Sequence, residues 1–128
     1  MTFERVQEYV DKMMALVPEG NIEISEAERL AAKFAVARGN IAKYQLELDL
    51  NKNKMEGVVS STYKHALFEA EGKVVAEKQA SAEADPTYLA RKQELDDLES
   101  KIYYLKIMAD LFHNLHIFYR NMGKTYGV

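Results

Sequence analysis

Asp110, His113 and His116 have the residue types and the spacing that suggest metal chemistry. Each lies three positions after the one before, so a helix would place them partly on one face, where a carboxylate and two imidazoles can ligate zinc. The alternative is an ion pair between Lys106 and Asp110, with His116 hydrogen-bonded in a helical core. Because a fourth ligand is missing, we predict no metal and no cofactor.

A run of cations without acids, from Arg29 to Gln45, suggests a second kind of chemistry. Four cations between Arg29 and Lys54 fall within about 40° of one line on a helix at 100° per residue: Arg29, Lys33, Lys43 and Lys54. Such a row suits the phosphates of a nucleic-acid backbone and needs no base-reading geometry. The alternative is an ordinary solvated helix face, which Glu47 on the same line favours.

Eight tyrosines and no tryptophan are the third feature. Aromatic rings can stack on the bases of a single strand, and Tyr63, beside Lys64 and His65, is the best placed. Tyrosines that pack in a core with their hydroxyls toward water are the alternative. The candidate nucleic-acid-binding residues are therefore Arg29, Lys33, Arg38, Lys43, Lys54, Tyr63 and Lys64.

Catalytic motifs do not emerge from the sequence. Ser60, Ser61 and Thr62 have no glycine elbow around them. The six glycines are scattered and form no phosphate-binding loop. We therefore predict a binding protein rather than an enzyme.

Three helical regions would position these residues in a single all-α domain covering residues 1–128. Apolar residues at three- and four-residue spacing predict a first, short helix over residues 3–17. A capping box of Ser25 and Glu28 starts a long, kinked region over 26–84. Asp85 as N-cap and Pro86 as first residue begin the last helix, which Gly123 ends after residue 122. The two long regions are expected to pair antiparallel.

The last helix carries two heptad-like apolar seams. The first consists of Leu95, Leu98, Ile102, Leu105, Ala109, Phe112 and Tyr119. The second consists of Tyr104, Met108, Leu111, Leu115, Phe118 and Met122. Two seams need neighbours on two sides, and so short a chain has few helices to supply both. We therefore predict that the second seam packs against another copy, which makes the protein a homo-oligomeric helical bundle.

Length and composition exclude several classes of protein. The chain has 128 residues, a net charge of −3 and no cysteine, which exclude a strongly basic protein and a disulfide framework. No apolar run approaches the roughly 20 residues of a membrane span. The N-terminus lacks the pattern of a secretory signal. We expect a cytoplasmic protein that does not enter membranes.

The order of these parts resembles the UvsY family of phage recombination mediators. The shared features are a small helical chain, a central charged segment and an Ala84-Asp85 restart before a long helix. That helix carries Lys92, Leu95, Leu98, the pair Tyr103-Tyr104 and the run Ala109-Asp110-Leu111-Phe112. The resemblance spans roughly Ser25 to Met122 and rests on the order of features rather than on a single motif.

The resemblance implies a homo-oligomeric ring that binds single-stranded DNA in a phage-infected bacterium. Such a ring helps a RecA-like recombinase displace single-strand-binding protein and load, and its C-terminal helix drives assembly. The family's basic and aromatic stretch corresponds here to Thr62–Phe68, which contains one lysine and precedes Glu69 and Glu71. We therefore place the DNA contacts on Arg29, Lys33 and Lys43. The alternative function is an oligomeric helical adaptor for a protein partner, such as a phage assembly or anti-defence factor.

Overall fold

The chain folds into four α-helices. The computed structural model describes the backbone of residues 2–126 and the side chains through residue 124. The helices are α1 (Phe3–Met14), α2 (Ile24–Glu69), α3 (Val75–Glu83) and α4 (Pro86–Tyr126), and no strand occurs in this part of the chain. The predicted all-α class, with a short first helix and long helices that pack together, is confirmed.

The helices divide into two compact units. The first, here called the core unit, contains the described residues up to Leu46 and from Tyr103 onward. The second, here called the hairpin unit, comprises Glu47–Ile102. Because α2 and α4 each contribute to both units, the two long helices meet twice, once within each unit.

Aromatic packing between α2 and α4 forms the centre of the core unit. Phe34 is fully buried, and its ring stacks on Phe112 and Tyr119 with centroid distances of 5.8 and 5.9 Å. The Nδ1 atom of His116 lies 2.8 Å from the Ala31 carbonyl oxygen. Within this unit α2 therefore pairs antiparallel with α4, and the buried residues on α4 belong to the first seam: Leu105, Phe112 and Tyr119.

Gly123 lies inside α4 and does not end it, which corrects the predicted end of that helix at residue 122. This glycine is buried, and a Cβ added to it would lie 3.2 Å from the Cγ atom of Glu28 on α2. A side chain at this position would therefore require the Glu28 side chain to shift by a few tenths of an ångström.

Helix α1 packs on the rest of the core unit through Val6 and Val10, which are both buried. The Thr2 Oγ1 atom accepts a hydrogen bond from the Arg5 amide at 3.3 Å and caps its N-terminus. The helix ends at Met14 rather than at residue 17, and the next residues form a tight turn. Helix α2 begins at Ile24, so Ser25 lies in its first turn and is not the predicted N-cap.

In the hairpin unit, the predicted helical region 26–84 is divided by a break between α2 and α3. Gly72 adopts a φ of 145°, a conformation that L side chains rarely adopt. The Glu77 carboxylate then accepts a hydrogen bond from the Lys73 amide at 2.9 Å, which satisfies an amide before the start of α3. Helix α2 is continuous through Val58, Val59 and Thr62, the β-branched residues before Tyr63.

The hairpin unit has little buried apolar surface. Its described residues include three buried apolar side chains: Leu48, Ala82 and Ile102. The ring of Tyr63 on α2 lies 5.1 Å from that of Tyr88 on α4, so the helices are antiparallel here as well. Asp85 caps α4 as predicted, since its Oδ2 atom accepts from the Tyr88 amide at 3.4 Å.

Candidate nucleic-acid interface

Three predicted contact residues lie exposed on one side of α2 in the core unit. Arg29, Lys33 and Lys43 fall within about 40° of one line on the helix, and all three side chains are exposed. None of them forms an ion pair with a residue that the structure describes. No acidic residue occurs on α2 between Arg29 and Leu46. This cationic face, defined by Arg29, Lys33 and Lys43, therefore has no acid within its own length of α2, although the exposed Glu47 follows Lys43 by four residues on the same side of the helix.

Arg38 does not belong to the cationic face. It follows Arg29 by nine residues, which at 100° per residue places it on about the opposite side of the helix. Its side chain is exposed, but a strand lying along Arg29 and Lys33 would not reach it. A nucleic-acid contact by Arg38 thus stays a prediction from the sequence, and this geometry does not support it.

The cationic face also exposes apolar groups. Val36 lies between Lys33 and Lys43 on the same side of α2, and it is 63% exposed. Leu46, which borders the face, is exposed as well. Apolar side chains among cations suit either base contacts in a single strand or a protein partner.

Helix α1 lies beside the cationic face, a contact that the sequence did not indicate. The Asn40 side-chain amide donates a hydrogen bond to the Tyr9 hydroxyl at 3.0 Å. Asn40 follows Lys33 by two helical turns and therefore shares its side of α2. No signal in the sequence predicts this contact, because an exposed amide on a helix can be satisfied by water.

The other predicted contact residues lie in the hairpin unit. Lys54 is exposed and lines a groove of about 530 Å³ together with Lys101, Glu94 and Asp97. The Tyr63 ring already packs on Tyr88, so one of its surfaces is occupied. Lys64 is exposed. Acids accompany the cations in this groove, so the hairpin unit offers a more mixed surface than the cationic face.

The second seam of α4 has a neighbour within the chain. Tyr104 contacts the Phe3 ring of α1 edge-on, with centroids 5.4 Å apart. Burial, with a smaller contribution from the charge of Asp11, raises the pKa of Tyr104 above its usual value. Met108, Leu111, Leu115 and Met122 are half-buried, whereas Phe118 is 55% exposed. The premise that this seam lacks an internal neighbour therefore fails at Tyr104.

The residues considered for a metal site are not gathered around one point. The His116 Nδ1 atom is engaged with the Ala31 carbonyl, and Asp110 is exposed. The His113 ring lies 6.5 Å from that of His116, and its buried Nδ1 atom has no hydrogen-bond partner among the described residues. Within the described chain, no three His, Cys, Asp or Glu side chains form a group that could hold a metal ion.

Comparisons with known proteins add no relatives to these observations. Searches against protein-family models, curated protein sequences and solved structures each find no match. None of the described helices is both long enough and apolar enough to cross a lipid bilayer. Function must therefore be argued from the surface chemistry of this chain.

Proposed function

We propose that the protein binds single-stranded DNA as a homo-oligomer and acts as a recombination and repair accessory that loads a RecA-like recombinase. The observation that carries the proposal is the cationic face of α2, whose three exposed cations have no ion-pair partner among the described residues. Phage recombination mediators of the UvsY type provide the functional context, by resemblance of the sequence. In that context the protein acts in the cytoplasm of an infected bacterium.

Unpaired cations favour phosphate binding for a physical reason. When Lys or Arg approaches a phosphate, the counterions condensed on the strand are released, and this release drives binding. A cation already paired with a carboxylate gains less, because the existing pair must first be broken. Arg29, Lys33 and Lys43 have no such pair to break within the described residues.

Assembly multiplies these contacts. Three cations per chain bind weakly, but linked copies turn each further contact into an intramolecular one and raise the overall affinity. A face for assembly is available on α4 in the core unit, where Tyr103, Ile107 and Phe118 are exposed within about 60° of one line on the helix. Exposed apolar side chains that share a face are typical of protein contacts.

The proposal is tested by fluorescence anisotropy with a labelled oligothymidine at several salt concentrations, alongside light scattering. We expect binding that weakens steeply with salt and a mass of several chains. Replacing Lys33 and Lys43 by Glu should abolish binding without changing mass or helicity. The matched control replaces Lys78 and Lys92 by Glu, which changes the charge equally on exposed positions of the hairpin unit.

A second candidate function, an oligomeric adaptor for a protein partner, is favoured by exposed apolar residues. Val36 lies within the cationic face, and Tyr103 is 68% exposed on α4. If the wild-type protein does not bind oligonucleotides at low salt but still assembles, the adaptor function replaces nucleic-acid binding. A strand-exchange assay with a RecA-like recombinase and single-strand-binding protein tests the mediator function separately.

A further inference from the structure

We propose that α1 and α2 of the core unit form the two walls of a cleft that holds the single strand, with Arg5 and Lys12 of α1 facing its phosphates. This inference rests on the proposed function and extends it, because the sequence placed no nucleic-acid contact on α1. It assigns a ligand class, single-stranded nucleic acid held by its backbone, to a named pair of helices.

The hydrogen bond between Asn40 and Tyr9 fixes the position of the cleft. The Asn40 amide reaches the Tyr9 hydroxyl at 3.0 Å, so the two helices lie side by side at this point. Asn40 shares its side of α2 with Lys33, two turns before it. The pair therefore spans the floor of a cleft whose α2 wall is the cationic face.

Helical spacing places two further cations on the opposite wall. Arg5 precedes Tyr9 by four residues and Lys12 follows it by three, and residues at these separations are neighbours on a helix surface. Both side chains are exposed. Neither forms an ion pair within the described part of the chain.

Two of the three acids of α1 lie on its other side. Glu4 and Asp11 are about 140° and 160° away from Tyr9 around the helix, whereas Glu8 lies about 40° from Lys12 and 60° from Arg5. Asp11 is close enough to Tyr104 on α4 to help raise the pKa of that phenol, so this acid faces α4 and not the cleft. Arg5 and Lys12 therefore lie toward α2 with Glu8 beside them, and the other two acids of α1 lie away from it.

The two rows of cations face each other along the cleft. Phe3 contacts Tyr104 whereas Phe34 contacts Phe112, and α2 and α4 are antiparallel in this unit. The start of α1 thus lies toward Lys43, and its end lies toward Lys33. At 1.5 Å per residue, Arg5 and Lys12 are about 10 Å apart along α1, and Lys33 and Lys43 are about 15 Å apart along α2.

This arrangement predicts how the ligand is recognised. The cleft presents exposed cations on both walls, and the Asn40 amide on its floor is already hydrogen-bonded to the Tyr9 phenol. Its ligand is therefore recognised by the phosphate backbone, and base composition should matter little.

The experiment compares salt dependence among double substitutions. Each phosphate contact on a single strand contributes about −0.7 to the slope of log affinity against log salt. Replacing Arg5 and Lys12 by Gln should therefore reduce the magnitude of the slope by about 1.4, and lower the affinity about 25-fold at 0.1 M salt. The matched control, Lys78→Gln with Lys92→Gln in the hairpin unit, should leave both quantities unchanged.

A measurement on the unmodified protein supplies an independent test. Acetylation of lysines with and without oligothymidine should show protection of Lys12 and Lys33 and none of Lys78. If the oligonucleotide protects Lys33 from acetylation but does not protect Lys12, the proposal that α1 forms a wall of the cleft is wrong.

The outcomes separate this inference from the function on which it rests. If the Arg5 and Lys12 variant keeps the wild-type affinity and slope while the Lys33 and Lys43 variant loses binding, α1 is not a wall and the proposed function stands. If the wild-type protein binds no oligonucleotide at low salt, the proposed function fails and the cleft fails with it.

Discussion

The core unit and the hairpin unit use the same two long helices but bury very different amounts of apolar surface. Of the fourteen buried apolar residues in the described chain, three lie in the hairpin unit. The core unit has a stacked aromatic centre and a third helix, whereas the hairpin unit exposes Phe68 to 88%. Because helical stability comes mainly from packing an apolar face, the two halves of each helix should differ in local stability.

This difference bears on function because the proposed cleft belongs entirely to the core unit. Cations on a well-packed helix are held at fixed spacing, so binding a strand costs little ordering of the protein. Lys54 and Lys64 occupy the less packed unit, and acids line the groove beside Lys54. The comparison therefore favours the core unit as the binding region. The stability of this unit can be tested separately from the affinity for a single strand.

The largest effect should come from removing an aromatic ring in the core unit. We expect Phe34→Ala to lower the free energy of unfolding by about 3–5 kcal/mol, because a fully buried ring leaves a cavity. The matched change Tyr63→Ala in the hairpin unit should cost only about 1–2 kcal/mol, since this half-buried ring loses one stacking partner. Urea denaturation followed by circular dichroism measures both, and equal losses would contradict the difference between the units.

The sequence predicted the buried face of α4 in the core unit well. On α4 the first seam is buried in the core unit, because three- and four-residue spacing directly reports which side of a helix is apolar. The start of α4 at Asp85-Pro86 was equally predictable, since a helix cap depends only on neighbouring residues. Local signals therefore sufficed wherever the structure is decided locally.

Features that depend on distant contacts were not predictable in this way. Glycine is the usual residue for ending a helix, whereas Gly123 lies inside α4 and packs beside Glu28. The break at Gly72 depends on a backbone conformation, and the spacing of nearby apolar residues does not report it. For the candidate site, the sequence identified exposed cations on α2, but the contact between Tyr9 and Asn40 required the fold.

Glycine substitutions within the core unit should have opposite effects. Gly39 lies inside α2 with nothing within 4 Å of an added Cβ, so Gly39→Ala should stabilise the protein by about 1 kcal/mol. Gly123→Ala should be neutral or destabilising instead, because its Cβ would crowd Glu28 and cancel the gain. Thermal unfolding of the two variants gives the sign of each change. A similar gain at both positions would show that α2 and α4 are not closely packed there.

Removing one helix cap in each unit should separate local from global stability. Asp85→Ala removes the cap of α4 in the hairpin unit, and Thr2→Ala removes that of α1 in the core unit. Each should cost about 1 kcal/mol. Hydrogen exchange should locate the first loss in the opening turns of α4 and leave the core unit protected. Faster exchange around Phe34 in the Asp85 variant would mean that the two units unfold together.

The smallest effect should appear only at high pH, and only in the core unit. Burial, assisted by Glu26, raises the pKa of Tyr119 above 10.0, and burial with Asp11 does the same for Tyr104. A phenol with a raised pKa in the folded state is held neutral there, so its stabilisation is complete below the unfolded pKa. That stabilisation is lost as the pH rises through the folded value. We therefore expect denaturation midpoints to fall above about pH 10.

Spectroscopic titration should show Tyr104 and Tyr119 ionising at a higher pH than in the unfolded chain. The control Tyr103→Phe alters an exposed phenol on the same helix and should leave the pH profile unchanged, whereas Tyr104→Phe should flatten it. An identical profile for these two variants would place the alkaline sensitivity outside the core unit.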